Sequence, residues 1–150
     1  MIYSYWAFIG TIVLIILMWQ DHKNNMTIDD KRNIFMVGLT VSIVSHNRPS
    51  IWYFLILIML IHFLLKTLEK RNVFASGDTS ALRWIMLGFG LIDIYKLIAF
   101  MLFFTISTLL FFGLKKLIEK TFKLNKNIHL PFFGVILITF WLNCFIYGLY

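Results

Sequence analysis

ALRWIMLGFGLIDIYKLIAFMLFFTISTLLFFGL, residues 81–114, decides how often this chain turns. As one helix with a rise of about 1.5 Å per residue the stretch would reach roughly 50 Å, against a hydrocarbon core of about 30 Å. Asp93, Tyr95 and Lys96 interrupt it near the middle. The reading is therefore two apolar helices, one over 81–92 and one ending at 114, joined by a tight hairpin or a sharp break.

Four more apolar runs flank this pair, at 2–19, 34–45, 51–65 and 128–150. The first has Tyr3, Tyr5, Trp6 and Trp19 near its ends, as a helix with interfacial aromatics would. It has no charged leader ahead of it and no small-residue cleavage site after it, so it reads as a retained span. The second is short and begins as a helix near Asp29, before its apolar part. His46, Asn47, Arg48, Pro49 and Ser50 form a turn between the second and third runs.

Composition requires a membrane. The chain has 150 residues, of which 60% are hydrophobic and only 14% charged. A soluble domain carries about 25% charged residues, and a small globule cannot bury so much apolar surface. The expectation is an all-α polytopic membrane protein: one domain over 1–150, built as a bundle of six short transmembrane helices. The single cysteine, Cys144, leaves no internal disulfide and no multi-cysteine zinc site.

The net charge of +7 is distributed with a side. Lys23, Lys31, Arg32, Lys66, Lys70, Arg71, Arg83, Lys115, Lys116, Lys120, Lys123 and Lys126 occupy the first, third and fifth loops and their flanks, whereas Arg48 and Lys96 alone serve the second and fourth. Positive residues stay in the cytoplasm, which places those three loops inside and both termini outside the cell membrane. Merging the two helices of 81–114 would move the five lysines from 115 to 126 outside. The basic residues form no helix or aromatic platform of a nucleic-acid binder, so membrane lipid, not nucleic acid, is the expected partner of this charge.

Asp21 and Asp78 each sit where an apolar run meets a basic loop, on the same cytoplasmic side. Acidic residues at such edges are costly. Two carboxyls that approach each other split into one acid and one base. Water held between them is activated by the ionised group, while the protonated group donates to a scissile carbonyl. The chemistry is that of a membrane aspartic endopeptidase and requires no metal and no cofactor. The plainer alternatives are that Asp78 caps the helix that follows it and that Asp21 stops the first span.

The order of the local motifs carries a resemblance. Asp21 is followed two positions on by Lys23. Ala75-Ser76-Gly77-Asp78 opens a run with Ala81-Leu82 and Leu87-Gly88-Phe89-Gly90. Leu130-Pro131-Phe132-Phe133-Gly134 opens the last run. In this order the chain resembles the type IV prepilin peptidases, including the archaeal preflagellin peptidases, which are membrane aspartic proteases with a Gly-x-Gly-Asp motif. The resemblance implies catalytic roles for Asp21 and Asp78. It implies support from Lys23, Ala75, Ser76, Gly77, Ser80 and Pro131. The implied substrate is a prepilin-like precursor with a short basic leader before one apolar helix, cut at their junction; Asp29, Asp30 and Glu69 are the candidate acids to receive the leader. The pattern departs from the family at Ala75, where a glycine is usual, at Ser80, where a lysine is usual, and at Asn25-Met26-Thr27-Ile28, which replaces an isoleucine-proline-asparagine step. The cysteine-bearing methylation segment of the bifunctional members has no counterpart here. The alternative is an inactive relative that binds helices in the membrane.

Other residues fit plainer roles. Asp29 and Asp30 adjoin Lys31 and Arg32 and read as ion-paired loop acids. His22, His46, His62 and His129 lack the spacing of a helical metal site. Ser76 or Ser80 with a lysine would make a serine–lysine pair, but nothing positions the lysine. Gly77 is expected to allow close backbone approach or a left-handed residue before the helix. Gly88 and Gly90 fit close helix packing, and Asp93 with Lys96 fits an ion pair on one helical face. The phenylalanines from Phe100 to Phe112 face lipid or neighbouring helices. The lysines from Lys115 to Lys126 set topology and meet anionic lipid.

Overall fold

The computed structural model describes residues 2–24, 30–71, 76–122 and 133–149; within these helices the side chains of 21–24, 30–34, 44–45, 76–77, 119 and 122 fall outside the described set. The described residues form six helices and no strand: α1 (Ile2–Asn24), α2 (Asp30–Asn47), α3 (Ile51–Lys70), α4 (Ser76–Ile92), α5 (Ile94–Phe122) and α6 (Phe133–Ile146). Three stretches are long and apolar enough to cross a membrane: Ile2–Gln20, Ile51–Lys70 and Ile94–Ile118. At about 1.5 Å per residue, α4 with its 17 residues and α6 with its 14 come to roughly 26 and 21 Å, short of a bilayer core.

The stretch 81–114 is broken where the charges predicted. Asp93 alone is non-helical between α4 and α5. Its backbone N–H still closes the last turn of α4 on the Phe89 carbonyl (2.8 Å), and its carbonyl accepts from Lys96 N–H at 3.1 Å and Leu97 N–H at 3.2 Å. Its side-chain Oδ1 accepts the Tyr95 N–H at 3.0 Å, so Asp93 caps α5. The expected Asp93–Lys96 pair on one helical face is not the geometry found: Asp93 precedes the helix, and the Lys96 ammonium lies 5.3 Å from the Tyr147 ring centre. The turn after α2 is made by Arg48, in the left-handed region at φ 44°, followed by Pro49, which cannot extend a helix.

Several boundaries move. Helix α1 runs past Trp19 and carries Asp21 within its last turn. Helix α3 continues to Lys70. Helix α4 starts at Ser76, earlier than the apolar run, which places Asp78 in its first turn instead of at the cap. Gly77 is accordingly helical, not left-handed. Helix α5 carries Lys115, Lys116 and Lys120 as helix rather than loop.

Neighbouring helices alternate in direction. Gly10 faces Trp84 and Gly88 faces Trp6, so α1 and α4 run antiparallel. Gly90 faces Leu57 while Leu82 lines a groove with Leu65 and Leu68, and Gly134 approaches Met18 while Gly10 faces Phe140, which sets α3 against α4 and α6 against α1 in the same way. The Asn47 amide reaches the Leu91 carbonyl, joining the C-terminal ends of α2 and α4. Helices α2, α4 and α6 therefore share one direction, and α1, α3 and α5 the other. The start of α1 and the end of α6 lie at one end of the bundle. The ends of α1, α3 and α5, with the starts of α2, α4 and α6, lie at the other.

Helix α4 is the axis of the bundle. It packs against α2, α3, α5 and α6, and from Ala81 to Leu91 every residue except Arg83 is buried. A helix apolar all round belongs in a protein core. Trp6 enters from α1 with no accessible surface. Its ring meets Phe140 at 5.3 Å and Phe89 at 5.4 Å, and its Nε1–H donates to Thr40 Oγ1 at 2.9 Å. Trp6 is thus a core residue and not the interfacial aromatic its position implied; Tyr5 and Trp19 do point outward. The outer faces of α3 and α5 are apolar and exposed: Trp52 at 72% and Phe63 at 75%, with Leu102, Phe103 and Leu109. Phe100, by contrast, is buried and stacked on Phe89 and Phe104.

Candidate active site

The site is assembled from two opposite kinds of helix end. Helix α4 begins with Ser76, Gly77, Asp78, Thr79 and Ser80, all compatible with a helix start, and the apolar run follows at once. Asp78 is only 9% exposed and Thr79 is buried beside it, while Ser80 is half-buried. A carboxylate in a first turn is favoured by the unpaired N–H groups there. Asp21 stands in the last turn of α1, where unpaired carbonyls disfavour negative charge.

The packing brings both positions to the same end of the bundle. With Trp6 opposite Gly88 and Gly10 opposite Trp84, the antiparallel register sets Asp78 level with Ile16. Asp21 lies about 7 Å further along the axis. Helices α1 and α4 are held apart by the rings of Trp6, Trp84 and Phe140 instead of by close backbone contact. The Asp21 side chain lies outside the described residues.

Of the supporting positions, Lys23 lies in the last turn of α1 and Ser76 and Gly77 in the first turn of α4, by backbone alone. Ala75 and Pro131 lie outside the described residues, as do the Asn25–Ile28 step, Asp29 and His129. Asp30 begins α2 and Glu69 lies in the last turn of α3, at the same end as Asp78. Among the described residues no group of three His, Cys, Asp or Glu is arranged to hold a metal.

An apolar groove of about 310 Å³ opens between α3, α4 and α5. Leu82 and Met86 form its floor on α4, Leu65 and Leu68 one wall, and Phe104 and Thr108 the other. Leu82 and Met86 follow Asp78 at spacings of four, so the groove continues the face of α4 that carries the carboxyl.

The polar ties between helices leave little trace in the sequence. The Tyr3 hydroxyl donates to Asn47 Oδ1, Asn47 Nδ2 donates to the Leu91 carbonyl at 2.6 Å, and the Tyr53 hydroxyl donates to the Gly90 carbonyl. Asn47 read only as a turn residue; a side chain with two donors and an acceptor at a helix end was the available signal. Arg83, lone within an apolar run, reads as part of the basic flank of the third loop, although a cation inside such a run is costly and has uses beyond topology.

No family model matches the chain, and neither a curated protein nor a solved structure does.

Proposed function

We propose that this chain is a membrane-embedded aspartic endopeptidase. It spans the cell membrane six times with both termini outside, and it removes the short basic leader of prepilin-like precursors at the cytoplasmic face. The observation that carries the reading is Asp78: a carboxyl nine-tenths buried in the first turn of the central helix, at the bundle end where α1 delivers Asp21. The helix ends divide the roles. The start of α4 favours the ionised form of Asp78, which takes a proton from water, and the end of α1 favours the protonated form of Asp21, which donates to the carbonyl oxygen. The precursor's apolar helix lies in the lateral groove beside Leu82 and Met86, which brings its leader junction to Asp78. Glu69, with Asp30, is the acid at hand for the leader.

The test is co-expression with a pilin-like precursor, reading the fraction processed on a gel. Asp21→Asn and Asp78→Asn each lower processing at least about 100-fold, the usual effect of removing a general acid or base. Wild-type processing in either variant rejects the dyad. The groove also favours a second reading, a helix-binding partner with no peptidase activity, in keeping with Ala75 and Ser80. A precursor that co-purifies uncleaved with the wild-type chain supports it.

A further inference from the structure

A second cavity, of about 180 Å³, lies between α2, α3 and α4. Val37, Phe54, Ile58 and Leu87 give it apolar walls, and two polar side chains line it: exposed His62 from α3, at its rim, and half-buried Arg83 from α4. Arg83 is the one residue of the 81–91 stretch that is not fully buried. Its Nε is enclosed and meets no hydrogen-bond partner among the described residues. A guanidinium keeps its charge at any working pH and has donors only, while an imidazole offers at least one more N–H. An enclosed donor of a charged group is unfavourable without an acceptor, so the cavity has the chemistry of an anion site.

The surroundings define the anion. His62, Lys66 and Lys70 follow one another at spacings of four along one face of α3, toward the bundle end that holds Asp78. Lys66 and Lys70 are exposed. Glu69 and Asp78 are the acids whose side chains are described at this end, and neither lines the cavity. Toward the middle of the bundle the same face of α3 is apolar, with Phe54 and Ile58, and Val41 and Ile58 open onto the exposed surface. The order is apolar chain, half-buried arginine with its Nε enclosed, then exposed ammoniums. A phospholipid has the same order: acyl chain, phosphate, then headgroup. Guanidinium meets phosphate with paired hydrogen bonds. Basic pockets between membrane helices near the interface take anionic headgroups.

We infer that the cavity between α2, α3 and α4 is a binding site for one anionic phospholipid, its phosphate held by Arg83 and His62. A volume of this size seats the phosphate and the start of the glycerol, and the acyl chains lie over Val41 and Ile58. A zwitterionic lipid would bring its own cation against Lys66 and Lys70. The inference rests on the membrane setting of the bundle and not on the peptidase reading.

Native mass spectrometry of the full chain, released from bilayers of equal phosphatidylglycerol and phosphatidylcholine, tests it. Wild type retains phosphatidylglycerol in several-fold excess. Arg83→Gln loses roughly tenfold of that retention, as expected for one charge-assisted contact. His62→Leu loses less, and Arg48→Gln, at the opposite end, loses nothing. Equal retention of the two lipids by wild type overturns the inference. So does wild-type retention in a folded Arg83→Gln. Should that variant not fold, His62→Leu and the wild-type preference decide: wild-type retention by His62→Leu then overturns the site. Thermal stabilisation of lipid-free protein by inorganic phosphate equal to that by phosphatidylglycerol would show a free-anion site and overturn the lipid assignment.

Discussion

A hydrogen atom at Gly88 makes room for one of the two tryptophans of the core. A Cβ built there would fall inside the Trp6 ring. The ring has no retreat, because Thr40 holds its Nε1–H and Trp84, Phe89 and Phe140 close around it. Gly88→Ala therefore overpacks a rigid site and lowers stability by about 1–3 kcal/mol. Gly38, on the exposed side of α2, has nothing within 4 Å of a built Cβ; there alanine is expected to stabilise by about 0.5 kcal/mol through helix propensity. Thermal melts of the detergent-solubilised protein, followed by circular dichroism, should place the two variants on opposite sides of wild type. Equal melting temperatures would show that the ring is not held against Gly88. The sequence marks both Gly88 and Gly90 as close-packing glycines. It does not reveal their partners, since the spacing of Tyr3, Tyr5 and Trp6 leaves open which of three neighbouring aromatics turns inward. That choice is made by α4 and α6, far along the chain.

Between α4 and α5 a single residue both stops one helix and starts the next. The Asp93 carboxyl on the Tyr95 N–H is a cap whose loss costs about 1 kcal/mol. Asp93→Ala should lower the melting temperature, and Asp93→Asn or Asp93→Ser should restore most of it, because their side-chain oxygens accept the same N–H. If Asp93→Asn melts with the alanine variant, the negative charge and not the cap is what matters. This break is legible in the sequence because a charge in the middle of an apolar run has few other uses. The start of α4 is less so. Gly77 resembles a loop residue, yet Asp78 and Thr79 are favoured in a first turn, and the buried helix beyond them fixes the chain as helical from Ser76. The length of α5 is hidden for the opposite reason. Lys115, Lys116 and Lys120 look like a loop by polarity, but lysine is a good helix former and nothing ends the helix before them.

For the molecule as a whole, alternating helix direction turns charge placement into topology. The ends bearing Lys70, Asp78 and Lys120 lie together, and the ends bearing Ser50, Tyr95 and Tyr147 lie opposite. Helix α5, with 29 residues and thus about 43 Å, is longer than a bilayer core and carries its lysines in its last turns. The two shortest helices pack against several others: α4 is enclosed by its neighbours, and α6 rests on α1 and α5. Among the described residues, three helices are long and apolar enough to cross a membrane; the charge asymmetry of the loops is what leads the sequence reading to six. Cysteine labelling can read that arrangement directly. Cys144 is fully buried, so the native thiol is expected to stay silent toward a membrane-impermeant maleimide. Ser50→Cys and Tyr95→Cys, both exposed, should label on intact cells. Lys70→Cys and Lys120→Cys, exposed at the other end, should label only after the membrane is opened. Labelling of Ser50→Cys and Lys70→Cys from the same face would mean that α3 does not cross. The carboxyl of Asp78 would then lie across the bilayer from the compartment that supplies a basic leader, and the endopeptidase reading would fail with the topology.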